Sequence, residues 1–201
     1  MGGFRANWAN WAMVATRQPG GPRGIEAADM GGLYARHWNM VVAYLRGQGA
    51  RDPEDLASEA FVGAIRNLDR FEGDETAFRS WLLVIAHRRL VDQRRAQARR
   101  PVDVAEPIRM VALVDRSPDA NAEDEAVAQL STRRVLRALD TLTEEQRTVV
   151  LLHALGDLSL PQIATALGKR LPAVKSLHHR GLAAAARALG DPADWYASEV
   201  G

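Results

Sequence analysis

The sequence has no cysteine. That excludes a disulfide framework, a thiolate zinc site and a cysteine nucleophile, and it argues against an oxidising secreted scaffold. No run approaches the ~18 uninterrupted apolar residues of a membrane-spanning helix, and the first thirty residues lack a basic start followed by an apolar stretch. The expected address is the cytoplasm, with no membrane insertion. Paired carboxylates, a Ser/His/Asp arrangement, a phosphate loop and a dinucleotide fingerprint are all missing. No enzyme activity and no cofactor are expected. The adjacent pair His178 and His179 is a poor metal site, because neighbouring helix positions point about 100° apart whereas ligands on one helix want three- or four-residue spacing. His37 and His153 are isolated and read as surface or partly buried polar residues, so no metal is expected.

Net charge is also nearly absent, at +1 over 201 residues. Counted by segment, it resolves into blocks of opposite sign: +6 over residues 79–100, −5 over 101–130 and +5 over 131–190. Two compact basic segments separated by an acidic one suggest two polyanion-binding surfaces and a connector that competes with polyanion. In the free protein, the acidic connector is expected to lie near the basic surfaces and weaken polyanion binding.

Composition marks the same connector. Pro101, Pro107 and Pro118 fall in a stretch with neither helical nor alternating period. The segments on either side are each ~60–75 residues, enough for only a small core. Both halves carry helical signals and no strand of useful length. Leu33, Trp38, Val41, Val42 and Leu45 follow a 3.6 period that stops at Gly47 and Gly49. Asp52 as N-cap and Pro53 at the first helical position open a second helix. Its apolar side is Leu56, Ala60, Phe61, Ala64, Ile65 and Leu68, and its opposite side carries Glu54, Asp55, Ser58 and Glu59. Phe78, Trp81, Leu82, Ile85 and Leu90 trace a third helix that ends in an arginine cluster.

In the second half, Val135, Leu136, Leu139 and Leu142 mark a helix, and Thr143-Glu-Glu-Gln146 is a capping box that opens the next, with Gly156 as its stop. Ser159-Leu-Pro-Gln162 is a second such start. After Gly168, a last helix runs from Leu171 to Leu189 with Val174, Leu177 and Leu182 expected inward. Two helices joined by a glycine turn, the second bearing Lys175, Ser176, His179 and Arg180, form a helix-turn-helix pattern.

Several stretches, taken in order, carry a family resemblance: Pro53-Glu-Asp-Leu-Ala-Ser-Glu-Ala-Phe61, Phe71-Glu-Gly73, Phe78-Arg-Ser-Trp-Leu-Leu-Val-Ile-Ala86 with Asp92 and Arg94-Arg95, Leu142-Thr-Glu-Glu-Gln-Arg147, Leu158-Ser159, Gln162-Ile-Ala164 and Ala173-Val-Lys-Ser176. Together they resemble a bacterial RNA polymerase sigma factor of the extracytoplasmic-function type. The resemblance implies an all-α fold of two small helical domains, sigma region 2 and sigma region 4 with its helix-turn-helix, joined by an irregular linker. The expected divisions are an N-terminal extension 1–28, region 2 at 29–100, an acidic linker 101–130, region 4 at 131–190 and a tail 191–201.

The resemblance also implies roles. Glu54, Asp55, Ser58 and Glu59 resemble the surface that docks on the clamp helices of the largest subunit of core RNA polymerase. Ser58 stands where the family usually has Gln. Phe71, Glu72, Gly73 and Asp74 match the loop that receives a base flipped from the promoter minus-10 element. His87 sits where relatives often carry Asn, and Arg88, Arg89, Arg94 and Arg95 would grip phosphate. In region 4, Arg170, Pro172, Ala173, Lys175, Ser176, His179 and Arg180 resemble the reader of the minus-35 element. Lys169, Gln162, Pro172 and Gly181-Leu182 depart from the usual residues, so the base preference does not carry over. Implied partners are core RNA polymerase, through the clamp helices and the flap of the second-largest subunit, promoter DNA, and an anti-sigma factor.

The N-terminal extension adds Phe4, Trp8, Trp11 and Ala15 at helical spacing before Pro19-Gly-Gly-Pro22. Such an aromatic stripe would seek a groove on polymerase, on a partner or on this chain. Two rival readings use the same features: a stand-alone helix-turn-helix regulator binding an operator as a dimer, and an interaction protein that sequesters polymerase or an anti-sigma factor.

Overall fold

A computed structural model describes residues 30–99 and 122–190, the side chains of 122–130 excepted. The extension 1–28 with its aromatic stripe, residues 101–121 of the expected linker and the tail 191–201 lie outside the described residues.

The first three helices are α1 (Met30–Gly47), α2 (Pro53–Ile65) and α3 (Glu75–Ala98). α1 ends where Gly49 takes a positive φ of 74° and the chain turns back, with Ala50 N–H reaching Leu45 O at 2.9 Å. Pro53 opens α2 as expected, with Glu54 and Asp55 in the first turn; Asp52 stands at the N-cap position, but its carboxylate makes no capping hydrogen bond. A short 3-10 turn at Leu68–Arg70 leads to Asp74, whose carboxylate caps α3 by accepting from Ala77 N–H at 2.8 Å. The three helices pack on one another around Phe78, Trp81, Leu45 and Phe61.

The other four are α4 (Ala122–Asp140), α5 (Glu144–Gly156), α6 (Leu160–Leu167) and α7 (Leu171–Leu189). Both expected capping boxes close reciprocally, Thr143 with Gln146 and Ser159 with Gln162. Gly168 takes φ +64° to end α6 and start the turn into α7. No strand occurs among the described residues.

Four expectations need correction. Residues 122–130, assigned to the linker, belong to α4. Ile65 and Val135, placed on apolar faces, are 52% and 44% exposed. Leu182, expected inward, is 47% exposed, because the buried row of α7 runs Val174, Leu177, Gly181 at three- and four-residue steps and so passes one residue before it.

Gly181 is needed on that row. A Cβ there would lie 2.9 Å from Val150 Cγ2 and 3.4 Å from Gln146 Cβ. Gly181→Leu should therefore push α7 off α5 and lower stability by about 1–3 kcal/mol, with Gly181→Ala losing less. An unchanged thermal melting midpoint for the leucine variant would show that the two helices are not in close contact.

The two halves are not separate bodies. α5 lies against α1 and α3 as well as against α6 and α7, and one continuous hydrophobic cluster runs from Leu33 to Leu177.

Candidate nucleic-acid interface and docking face

The sequence-identified residues fall on three surfaces. On α2, Glu54, Asp55, Ser58 and Glu59 are all exposed and share one side of the helix. Ser58 Oγ–H donates back to Glu54 O at 3.0 Å, Arg46 pairs with Glu54, and Glu59 Oε2 lies 3.9 Å from Arg89 Nη1. The strip continues into residues that sequence reasoning did not assign to it. Val62 is 44% exposed, and with Ser58, Glu59, Arg66 and Arg89 it lines a shallow depression. An acidic rim beside exposed apolar side chains suits a basic, amphipathic partner helix. The signal for Val62 was available: it stands four residues after Ser58, on the polar stripe.

The second surface is the start and the far end of α3. Glu72 and Asp74 are exposed on the preceding loop and Gly73 is half-buried. Phe71 is not exposed: its ring is 7% accessible, stacked on Trp81 with centroids 4.9 Å apart and edge-on to Phe78. It anchors the loop from below. His87 is also turned inward. Gln48 Nε2–H points at Tyr44 Oη at 3.4 Å, and the Tyr44 hydroxyl meets His87 Nδ1 at 2.9 Å. Burial, with Arg94 and Arg88 adding to it, pushes the His87 pKa down to about 4, so its ring is neutral near pH 7. Burial raises the Tyr44 phenol well above its ordinary range.

The arginines form a row along α3. Arg94 pairs with Glu144 and donates to Gln48 O, while Arg95 lies 3.7 Å from Asp92. Arg88 is half-buried, and desolvation lowers its pKa against the opposing pull of Asp92. Among the described residues, no carboxylate lies within ion-pair distance of Arg88.

The third surface is α7. Pro172 sits in its first turn, Arg170 is its N-cap residue, and Pro172, Ala173, Lys175, Ser176, His179 and Arg180 are exposed while Val174 and Leu177 are buried. That leaves one polar, cationic side of a helix facing water after a tight turn, the geometry a major-groove reader needs. His178 is half-buried behind it, edge-on to His153 at a centroid distance of 4.7 Å, and its pKa is lowered by burial and then by the two neighbouring histidines. Only His179 of the pair faces outward. His37, expected as a surface or partly buried residue, is buried, with Nε2 3.2 Å from Glu75 Oε1. No group of three metal-ligating side chains converges among the described residues, and none of their helices is long and apolar enough to cross a membrane.

Two family models match the chain: Sigma-70 region 2 over residues 33–100 and Sigma-70, region 4 over residues 125–184. The chain is 32% identical over 170 residues to the ECF RNA polymerase sigma factor BldN of Streptomyces coelicolor, which covers 84% of this chain but only 63% of that relative's length. It is 31% identical over 141 residues to the ECF RNA polymerase sigma factor SigK of Mycobacterium ulcerans, covering 70% of this chain and 73% of that one. Among solved structures, CnrH in complex with the cytosolic domain of CnrY superposes with a TM-score of 0.52 at 25% identity, covering 89% of this chain and 94% of CnrH.

Proposed function

Because the chain belongs to the extracytoplasmic-function group of the sigma-70 family, we propose that it is a promoter-specificity subunit of RNA polymerase. It docks on core polymerase through the α2 strip, reads the minus-35 element with α7, grips the minus-10 region with the α3 arginines and helps to open the duplex. Chemistry is left to the polymerase, and the protein works in the cytoplasm. The observation that supports this best is the pairing, in one chain, of an outward cationic helix-turn-helix face with an acidic strip and an arginine row on a second matched domain. A partner of the anti-sigma kind fits the same reading, since the solved relative CnrH is bound to the cytosolic domain of another protein.

The direct test is reconstituted transcription with core polymerase on genomic promoter fragments. Promoter-specific initiation is expected; its absence on every fragment would sink the reading. Tight operator binding by the chain alone, at half-sites one helical turn apart, would favour the stand-alone regulator instead.

Two sets of variants divide the work. Lys175→Ala or Arg180→Ala should weaken minus-35 dependence roughly tenfold, and a lost phosphate contact should reduce the salt slope by about one. Asp55→Ala combined with Glu59→Ala should weaken competition for core enzyme by a similar factor while leaving minus-35 dependence alone. If the double variant competes normally, α2 is not the docking face.

A further inference from the structure

One face of α3 carries its arginines into a cleft. Ile85, Arg88, Asp92, Arg95 and Arg99 follow one another at steps of three and four, so they share a side of the helix. At ~1.5 Å per residue, the row from Arg88 to Arg99 is about 16 Å long. Across from it stand Glu144 and Glu145 at the start of α5 and Lys169 just past α6. The cleft they bound has a volume of about 1040 Å³. That is the upper end of the range for small-molecule sites, about 300–1,000 Å³.

The charges of the cleft are not balanced within it. Five cationic side chains and three carboxylates line it, and each carboxylate is already engaged. Asp92 lies 3.7 Å from Arg95, Glu145 accepts from Lys169 at 2.5 Å, and Glu144 is held by Arg94, which stands outside the lining. Arg88 has no such partner. Its guanidinium is half-buried, burial lowers its pKa, and no carboxylate among the described residues comes within ion-pair distance of it. A cation taken partly out of water without an anion carries a cost that a ligand removes.

The rest of the lining is of another kind. Ile85 and Val91 on α3, with Ala166 and Leu167 at the end of α6, are half-buried apolar side chains on which a flat ring can lie. An arginine fork fits phosphate oxygens in pairs, and linked phosphates offer such pairs in succession along a line. A lone sulfate or phosphate does not.

We propose that the cleft between α3, α5 and α6 is a binding site for a linear polyphosphate, either inorganic or carried by a nucleoside. Arg88, Arg95 and Arg99 take successive phosphates, and a base, where there is one, lies on Ala166 and Leu167. The site goes beyond the promoter role and needs neither DNA nor polymerase.

The test is titration calorimetry on the full chain alone, at constant ionic strength and without divalent cations, with sodium tripolyphosphate and with GTP as probes. One-to-one binding is expected, with a rise in the melting midpoint, because the ligand binds the folded chain. Arg88→Met and Arg99→Met should each weaken tripolyphosphate binding about tenfold, the loss of a charged hydrogen bond. Arg187→Met removes the same charge from an exposed position on α7 outside the cleft, and should change nothing. Circular dichroism of each variant shows that the helices remain.

Equal losses in all three variants would reduce the binding to long-range attraction and overturn the site. So would displacement of tripolyphosphate by sulfate at the same ionic strength, or no binding of either probe. Tighter binding of GTP than of tripolyphosphate assigns the nucleoside-borne ligand, and equal binding assigns the inorganic chain. A chain that passes these tests but initiates no transcription keeps the site and loses the sigma-factor reading. One that initiates transcription and binds neither probe loses the site alone.

Discussion

Phe78→Ala should destabilise the protein by about 3–5 kcal/mol, read as a shift of the urea unfolding midpoint. The ring is fully buried where α1 and α3 meet, edge-on to Phe71 and Trp81 and 5.8 Å from the His37 ring. Its neighbours are planar and held by one another, so they relax poorly into the space that the ring leaves. A loss below about 1 kcal/mol would mean that the cluster is not the centre of this domain. The same cluster decides the role of Phe71. If Phe71 is an anchor beneath the loop, Phe71→Ala loses stability along with promoter opening. A Phe71 that stacks on a flipped base would lose promoter opening and keep its stability.

Acid should weaken the fold through His87. Its pKa is about 4 in the folded chain, against an ordinary value of 6.5. Above pH 6.5 the ring is neutral in both folded and unfolded states. As pH falls from 6.5 to 4 the unfolded chain takes up the proton first, so stability declines through that window by roughly 2–3 kcal/mol. The groups that face the ring explain why it resists protonation: the Tyr44 hydroxyl from α1, and Arg88 and Arg94 from α3. A protonated Nδ1 would also compete with the Tyr44 O–H for the same contact. His87→Gln keeps a polar partner for Tyr44 and should flatten this part of the profile. His37 and His178, whose pKa values are also lowered by burial, add smaller slopes of the same sign. If the slope persists unchanged in His87→Gln, the ring is not the titrating group.

Features fixed by adjacent residues were legible in the sequence. The capping boxes at Thr143 and Ser159, Pro53 after Asp52, and Gly168 in its turn are each written within four residues, and the structure places all of them. Faces were read less well, because a helical period gives a stripe but not which of two adjacent apolar residues lies at its centre. The period allows Leu182 an inward place, but Gly181 beside it holds the position that α5 approaches. The outward cationic side of α7 was legible for a related reason, as it is the complement of Val174 and Leu177.

What was hidden was the joining of the halves. Arg94 with Glu144, Ser80 with Gly156 and Gln48 with Thr148 lie 50, 76 and 100 residues apart. No local pattern announces a pair at that distance. The inward turn of His87 was hidden for the same reason, since its partner Tyr44 is 43 residues away on another helix.

Val149, Val150, Leu151 and Leu152 are four consecutive buried residues in α5, which leaves that stretch of helix no side for water. Val150 faces Gly181 in one half, and Leu151 faces Gly47 in the other. One helix thus serves two cores. Neither half can melt without stripping α5 of a wall that the other half also needs. While they remain joined, heating should give one calorimetric transition for the whole chain, with van't Hoff and measured enthalpies in agreement, rather than the two steps that a pair of linked domains would show.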